Sequence, residues 1–320
     1  MPPVYRMLDR VNIISLIKNK IMIYTFGESL MDVIISPDGN TVTKPGGSQL
    51  NVAVSLGRSG KKVAMISEIG NDPVGKILSD FLSENGITTD LLQIYPGMKT
   101  SLALAFLDDQ KKPSYSFYKM YPEERSLREP PVFSPEDVFI FGSMYSRDPD
   151  IKEFLEDYFS QARRGGAVIF YDPNVRHNHQ ISKEENREML MKNLAAADII
   201  KGSDEDFGNI FGVVSITEMK NALRKINYGA VLVVTTGAGG STAFYKDLEV
   251  KMEAPKIDVV STIGAGDAFT AGMVNSLVGQ KLTGKLHGLN EGHLKKMLSE
   301  GTRFSTLVCW SMDNYIPATG

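Results

Sequence analysis

Short apolar runs rich in β-branched residues alternate with amphipathic stretches of helical length from residue 21 onward, and this alternation restricts the fold more than any other feature of the chain. The candidate strands are IMIYTFGE at 21–28, KKVAMISEIG at 61–70, VFIFG at 138–142, AVIFYD at 167–172, DIIKGS at 198–203 and AVLVVTTG at 230–237. Helical spacing of apolar residues covers 48–58 and the regions near 149–163, 183–195 and 216–226. Strands that are apolar throughout and separated by helices predict an α/β fold, a doubly wound and mostly parallel sheet with helices on both faces.

Two stretches depart from this alternation. Residues 31–44 and 100–119 both show the pattern strand, turn, strand, with turn residues at 37–39 and 108–113 and no crossover helix between their arms. They predict a small separate β-sheet that acts as a lid on one large domain, residues 21–320. Because an exposed strand edge tends to be paired or covered, the lid also offers a surface for a homodimer.

The first twenty residues, MPPVYRMLDRVNIISLIKNK, do not follow the alternation. Their apolar segment VNIISLI is flanked by Arg10 and Lys18, and no small-residue cleavage site follows it. Residues 1–20 are therefore predicted to be an N-terminal leader outside the core; a start codon placed too far upstream is the favoured explanation, and a targeting peptide is the alternative.

The charge balance limits the partners that this chain can bind. Its 35 Lys and Arg residues against 38 Asp and Glu residues give a net charge of -3, which supplies no basic surface for nucleic acid or for an anionic membrane. No segment approaches the roughly 20 apolar residues of a membrane helix. The single cysteine, Cys309, cannot form an internal disulfide, so a reducing, cytoplasmic location is expected. An enzyme that acts on a small molecule is the leading class.

The segment STIGAGDAF at 261–269 precedes a helical run and carries the strongest chemical signal in the chain. Gly264, Ala265 and Gly266 leave backbone N–H groups uncovered at the positive end of that helix, which makes an anion site. Asp267 in the same turn could accept a proton from an alcohol while these amides hold the charge of a transferring phosphoryl group. The alternative is a tight strand-to-helix turn in which Asp267 only caps the helix.

A second glycine cluster lies in PGGSQLNVA at 45–53. Gly46 and Gly47 would allow a ligand to approach the backbone closely, and Asn51 offers both a donor and an acceptor. The alternative is an ordinary turn with Ser48 as the N-cap of the following helix.

Together these two segments resemble both signature segments of the ribokinase-like, or PfkB, family of carbohydrate kinases. The first runs from Gly46-Gly47 through Asn51 and Ala53 to Gly60 and Gly70, and the second from Ser261 to Val274. GESLMD at 27–32, DPNVR at 172–176 and TGAGG at 236–240 extend the resemblance over about residues 21–310, most strongly toward the fructokinases. It implies transfer of the γ-phosphoryl of ATP, with Mg²⁺, to a primary hydroxyl of a sugar, above all D-fructose. A monovalent cation such as K⁺ would fit the same family.

The resemblance also implies a role for each matching residue. Asp267 would be the catalytic base, with Gly264, Ala265 and Gly266 as the anion hole. The sugar would bind to Asp32, Gly46, Gly47, Asn51 and Arg176, and the nucleotide to Ser203, Thr236, Gly237 and Gly240. Asp206 would contact Mg²⁺ through water.

Some assignments stay open at this point. Asp206 stands where Glu is usual in the family, so Glu205 could serve instead, and Lys119 stands where fructokinase-like sequences often carry Arg. Arg176 either reaches the substrate or a phosphate, or forms an ion pair with Asp172. A 2-keto-3-deoxygluconate kinase, a nucleoside kinase and a non-catalytic nucleotide- or sugar-sensing protein are the alternative functions, and no motif marks the adenine pocket near 302–313.

Overall fold

The computed structural model describes residues 21–109, 113–175, 184–284 and 286–318. The strands are β1 (Ile23–Phe26), β2 (Leu30–Ile35), β3 (Thr41–Gly46), β4 (Val63–Gly70), β5 (Ile87–Thr88), β6 (Leu92–Tyr95), β7 (Leu102–Leu107), β8 (Pro113–Tyr118), β9 (Val138–Gly142), β10 (Val168–Asp172), β11 (Ile199–Ser203), β12 (Val231–Thr235), β13 (Ser241–Tyr245) and β14 (Leu248–Met252). The α-helices are α1 (Ser48–Arg58), α2 (Pro73–Glu84), α3 (Lys152–Gly165), α4 (Glu184–Ala196), α5 (Asp204–Phe211), α6 (Ile216–Ile226), α7 (Ala265–Gly279) and α8 (Glu291–Cys309).

The larger sheet has the strand order β14-β13-β12-β11-β10-β9-β1-β4-β5, and β6 also pairs with β4. The strands from β12 across to β5 pair in parallel. The edge strands β13 and β14 continue the sheet in antiparallel pairs. The predicted doubly wound, mostly parallel sheet is therefore confirmed, with an antiparallel extension at one edge.

Both faces of this sheet are apolar. In β9, Val138 and Ile140 lie in the core layer that contains the apolar side chains of α1, α2, α7 and α8. Phe139 and Phe141 lie in the opposite layer, with α3, α4, α5 and α6. Because successive strand residues point to opposite faces and helices cover both, the strands need continuous apolar runs, as the sequence shows.

Four strands form a second, smaller sheet in the order β3-β2-β7-β8. The pairs β2–β3 and β7–β8 are antiparallel, and β2 joins β7 in parallel. These strands occupy the predicted stretches near 31–44 and 100–119, so the separate small sheet is confirmed. Its action as a lid remains a prediction, as does the leader at 1–20, which lies outside the described residues.

Some elements lack a clear sequence signal. The alternation does not predict α8, which begins after Asn290, a residue whose side chain accepts from His293 N. It also does not predict α5 or the edge strands β13 and β14. For α2 the sequence indicates only where the helix begins, because Asp72 is the N-cap and Pro73 follows it. Within the described ranges, no helix combines the length and the apolar character needed to cross a bilayer.

Candidate active site

The carboxyl ends of the parallel strands meet at one edge of the larger sheet, and polar residues lie there, among them the predicted nucleotide residue Ser203. Glu28 follows β1, Ser143 follows β9, and β10 and β11 end at Asp172 and Ser203. β1 and β9 are neighbours, although the chain runs from β1 to β4 first and returns to β9 later, so the strand order reverses between them. Open α/β sheets bind ligands in the crevice at such a reversal.

The first turn of α7 carries the predicted anion hole. Gly264 is its N-cap residue, in a left-handed conformation with a φ of 80°. A Cβ at this position would lie 2.2 Å from the backbone oxygen of Asn314, so both the φ angle and the close approach require glycine. Ala265 and Gly266 follow, and Ala265 N donates to the Thr262 carbonyl at 3.2 Å. Among the described residues no backbone bond uses the N–H groups of Gly264 and Gly266, so these two remain available to an anion.

Asp267 lies in the same turn and bonds to α1 instead of capping α7. Its carboxylate accepts a 2.7 Å hydrogen bond from the Ser48 hydroxyl and a 2.8 Å hydrogen bond from Asn51 Nδ2. The N-cap of α1 is Gly47, with a φ of 117°. The interpretations of Asp267 as a helix cap and of Ser48 as an N-cap are therefore both wrong. The carboxylate joins the N-terminal turns of two helices.

The surroundings of Asp267 make its carboxylate more basic than an exposed one. Burial raises its pKa from 3.8 to about 6, although hydrogen bonds from Asn51 and Ser48 lower it. The charge of Asp172 also raises this pKa, and the ammonium of Lys201 lowers it. Such a group is ionised at neutral pH and still holds a proton well. Those two properties suit a general base.

Asp32 lies in β2 of the small sheet. A Cβ on Gly46 would lie 2.1 Å from Asp32 Oδ2, so glycine leaves room for the carboxylate against the backbone. Asn314 Nδ2 donates to the same oxygen at 3.4 Å. Burial raises the pKa of Asp32 to about 7, and repulsion from Asp267 and Glu28 adds to this effect. The carboxylates of Asp32 and Asp267 are therefore close enough to interact across a shared space.

Three buried polar atoms near these carboxylates have no hydrogen-bond partner in the part of the chain that the structure describes. They are Glu28 Oε2, Asn51 Oδ1 and Asn314 Oδ1. The other polar atom of each side chain is already hydrogen-bonded. Because an unpaired buried polar atom costs about 1–3 kcal/mol, a ligand with several hydroxyls would stabilise this arrangement. Lys119, which stands where fructokinase-like sequences often carry Arg, lines a small pocket together with Glu28.

A cavity of about 540 Å³ adjoins the first turn of α7. Its walls come from the turn after β12, from the segment 254–262 and from α8. The α8 residues are Thr302, Ser305, Thr306 and Cys309, which share one face of the helix because of their spacing. A largely apolar cavity beside an anion site fits a nucleotide. Part of the predicted adenine region near 302–313 thus lines this cavity. In the sequence, only the helical spacing of these residues indicates that they share one face.

The predicted nucleotide residues fall into two groups. Gly237 and Gly240 line the cavity. Thr236 instead closes the turn that carries both glycines, because its hydroxyl donates to the Gly240 carbonyl at 3.2 Å. Ser203 caps α5, and its hydroxyl donates to Asp206 Oδ2 at 2.8 Å. Among the described residues, no three His, Cys, Asp or Glu side chains cluster as a metal site. A Mg²⁺ ion here would therefore depend on phosphate oxygens and water as well as on Asp206.

Arg176 lies outside the described residues, so its contacts remain a prediction. Asp172, the alternative ion-pair partner of Arg176, is paired with Lys201, whose Nζ lies 2.9 Å from Asp172 Oδ2. Lys201 also donates to the carbonyl of Gly266 at 3.1 Å. Sequence reasoning missed Lys201. The available signal was a charged residue inside the apolar strand IIKGS.

Comparisons with known proteins agree with this geometry. The model of the pfkB family of carbohydrate kinases matches residues 20–313. The probable chloroplastic fructokinase-6 of Arabidopsis thaliana is 30% identical over 270 residues, which cover 79% of this chain and 69% of that protein. The motifs of the sequence predicted a similarity to fructokinases, and this relative confirms it.

Two solved structures have the same fold. The fructokinase of Vibrio cholerae O395 with bound fructose, ADP and calcium gives a TM-score of 0.80 at 22% identity, covering 92% of this chain and 94% of that one. The aminoimidazole riboside kinase of Salmonella enterica, complexed with aminoimidazole riboside and an ATP analog, gives 0.78 at 21% identity and covers 92% and 95%. The match of the family model spans both glycine segments and both sheets. The chain therefore belongs to the pfkB family of carbohydrate kinases.

Proposed function

We propose that this protein is an ATP-dependent fructokinase, which transfers the γ-phosphoryl group of MgATP to a primary hydroxyl of D-fructose. The observation that carries the proposal is the position of Asp267. Its carboxylate lies in the turn that adjoins the 540 Å³ cavity, and it interacts with Asp32 of the small sheet. A phosphoryl donor in the cavity and an alcohol beside Asp32 would meet at this carboxylate.

Asp267 would act as the general base. It takes the proton of the attacking hydroxyl while that oxygen bonds to the γ-phosphorus and the bond from the phosphorus to the bridging oxygen of ADP breaks. Ser48 and Asn51 keep its carboxylate oriented through their two hydrogen bonds. The amides at 264–266 and the positive end of α7 hold the negative charge of the transferring group.

Asp32 would bind the sugar, because an ionised carboxylate can accept hydrogen bonds from two neighbouring hydroxyls. Gly46 lies against its carboxylate, Gly47 lies against the backbone oxygen of Glu28, and Asn51 would contribute its unpaired Oδ1. Arg176 is assigned to the same site by the family resemblance alone. Since Asp32 has a pKa of about 7, sugar binding should weaken as the pH falls below that value.

Mg²⁺ bound with ATP would neutralise charge on the phosphates. Asp206 is the candidate for a water-mediated contact, because Ser203 hydrogen-bonds to its Oδ2 and Oδ1 is free of that bond. Glu205 is exposed and is the alternative. A monovalent cation such as K⁺ is proposed only from the resemblance. Closure of the small sheet over the sugar would keep water away from the phosphoryl group.

We also propose a homodimer formed through the small sheet. Val42, Phe106, Phe117 and Tyr118 belong to its strands and are 42% to 52% exposed. Burying these side chains against a second copy would remove apolar surface from water and would cover a strand edge. Light scattering coupled to gel filtration tests this assembly.

The charge balance and the single cysteine favour a cytoplasmic enzyme without a nucleic-acid partner.

A coupled assay of ADP release tests the proposed activity. D-fructose should be phosphorylated faster than D-ribose, 2-keto-3-deoxygluconate, adenosine and aminoimidazole riboside, and ATP hydrolysis without a sugar should be slow. The last compound is included because the Salmonella enterica kinase has the same fold. A better rate with a nucleoside or the keto acid would overturn fructose as the substrate. Binding of ATP without any turnover would instead favour a sensing protein.

A further inference from the structure

Lys201 is a buried charge that the proposed mechanism does not use. It lies inside β11 with 4% exposure, and its partner Asp172 is 2% exposed. Taking two charges out of water is costly, and a buried ion pair is often no more stabilising than apolar side chains of similar volume. Its presence in an otherwise apolar strand therefore calls for a role other than stability.

The ion pair is bonded directly to the first two turns of α7. Lys201 Nζ donates to the carbonyl of Gly266 at 3.1 Å, and the hydroxyl of Thr270 donates to Asp172 Oδ2 at 2.7 Å. The carbonyl of Gly266 belongs to the peptide group that leads into Asp267. A Cβ on Gly266 would lie 3.3 Å from Lys201 Nζ, so the ammonium lies directly against the turn. The pair thus fixes the peptide group between the anion hole and the base.

Lys201 also balances negative charge around Asp267. Asp172 from β10 and Asp32 from β2 are acidic groups that interact with Asp267, while α1 presents the neutral Ser48 and Asn51 to it. Lys201 is a cation that favours the ionised form of Asp267. Asp206, from α5, interacts with Lys201 from another side.

We propose that Lys201 is a positioning residue for phosphoryl transfer, which holds the Gly266 peptide group at the anion hole and places a positive charge beside the turn that carries Asp267. The proposal rests on the proposed function, because it assumes that Asp267 is the base and that the 264–266 turn holds the phosphoryl group.

Two variants separate positioning from stability. Lys201→Met removes the charge and the bond to Gly266, and the double variant Lys201→Met/Asp172→Asn removes both opposite charges. The control is Lys76→Met, because Lys76 forms an exposed ion pair with Asp80. Each protein is assayed with the best sugar of the panel over pH 5 to about 9, and melting curves are recorded.

For Lys201→Met, kcat at its pH plateau should fall about 10- to 100-fold with KM values within about threefold, because the turn is misplaced. The acidic limb of its kcat profile should also move about one unit to higher pH, since an opposite charge near Asp267 is gone. The double variant loses one charge of each sign, so the acidic limb of its kcat profile should return toward the wild-type pH. Its kcat at the plateau should stay low. The control should match the wild type. An unmoved acidic limb in Lys201→Met would overturn the proposal, whether its plateau kcat is lower or stays at the wild-type value.

If Lys201→Met does not fold, the neutral double variant decides, and an unchanged plateau there overturns the proposal. Binding of ADP with aluminium fluoride, a phosphoryl mimic, provides a readout without sugar turnover. Its affinity should fall about tenfold or more in the variants while that of ADP alone is retained, and equal losses for both ligands would overturn the role of Lys201. Failure of the proposed function is distinct, because it appears in the wild type as a panel without a phosphorylated sugar.

Discussion

Replacing Asp267 by Asn tests the base with the smallest possible change of shape. Asn keeps one oxygen that can accept from Ser48 or Asn51, and its amide can donate to the Ser48 hydroxyl. The variant cannot take a proton at neutral pH. We expect kcat to fall about 10² to 10⁴-fold, the usual share of a positioned general base, with KM values for sugar and ATP within severalfold.

The same substitution should make the protein more stable above pH 7. The folded pKa of Asp267 lies above its ordinary value, so folding favours the protonated acid, and this advantage is lost as the pH rises through about 6. A change from 3.8 to about 6 corresponds to roughly 3 kcal/mol of destabilisation at pH 8. Hydrogen bonds of Ser48 and Asn51 to a neutral amide are weaker than those to a carboxylate, and this offsets about 1 kcal/mol of the gain. A net gain of about 1–2 kcal/mol should raise the melting temperature by about 2–5 °C.

Steady-state kinetics and melting curves at pH 4, 6 and 8 measure both effects. The wild-type kcat should fall on the acidic side of about pH 6, and the small residual rate of Asp267→Asn should lack this limb. The stability gain should disappear at pH 4. Near-wild-type turnover would refute the base assignment. A variant that melts lower than the wild type at pH 8 would refute the argument that the buried, ionised carboxylate destabilises the fold.

Three further outcomes are expected. Gly264→Ala should lower kcat at least about 100-fold and lower the melting temperature, because its Cβ would meet the backbone of Asn314; unchanged melting would contradict the clash. A chain that begins at Lys20 should melt within about 5 °C of the full chain and keep its kcat, whereas a larger drop would show that residues 1–19 pack on the core. Arg176→Ala should lower kcat more than it raises KM for fructose; a large rise in KM for 2-keto-3-deoxygluconate would instead indicate a carboxylate-binding role.

Local patterns were sufficient for the main architecture. The strand β9 is apolar at every position because both of its faces are covered, and that pattern is visible without any structure. Short edge strands such as β13 and a helix such as α8 were harder to predict, because their form depends on the neighbours against which they pack. Within the site, the glycines at 46, 47 and 264 were visible because close backbone approach and positive φ leave few other choices of residue.

The sequence by itself determined the α/β fold, the two glycine segments and the family, since these depend on periodicity and on the short-range geometry of turns. Only the tertiary structure decided which polar groups meet. Ser48 and Asp267 are 219 residues apart, Asn314 and Asp32 are 282 apart, and Lys201 reaches a carbonyl 65 residues away. The first contact joins the N-terminal turns of α1 and α7, the second joins the segment after α8 to the small sheet, and the third joins β11 to α7. Local periodicity cannot predict these contacts, because each depends on how elements far apart in the chain pack together. The basicity of Asp267 follows from the same assembly, because its burial exists only in the folded chain.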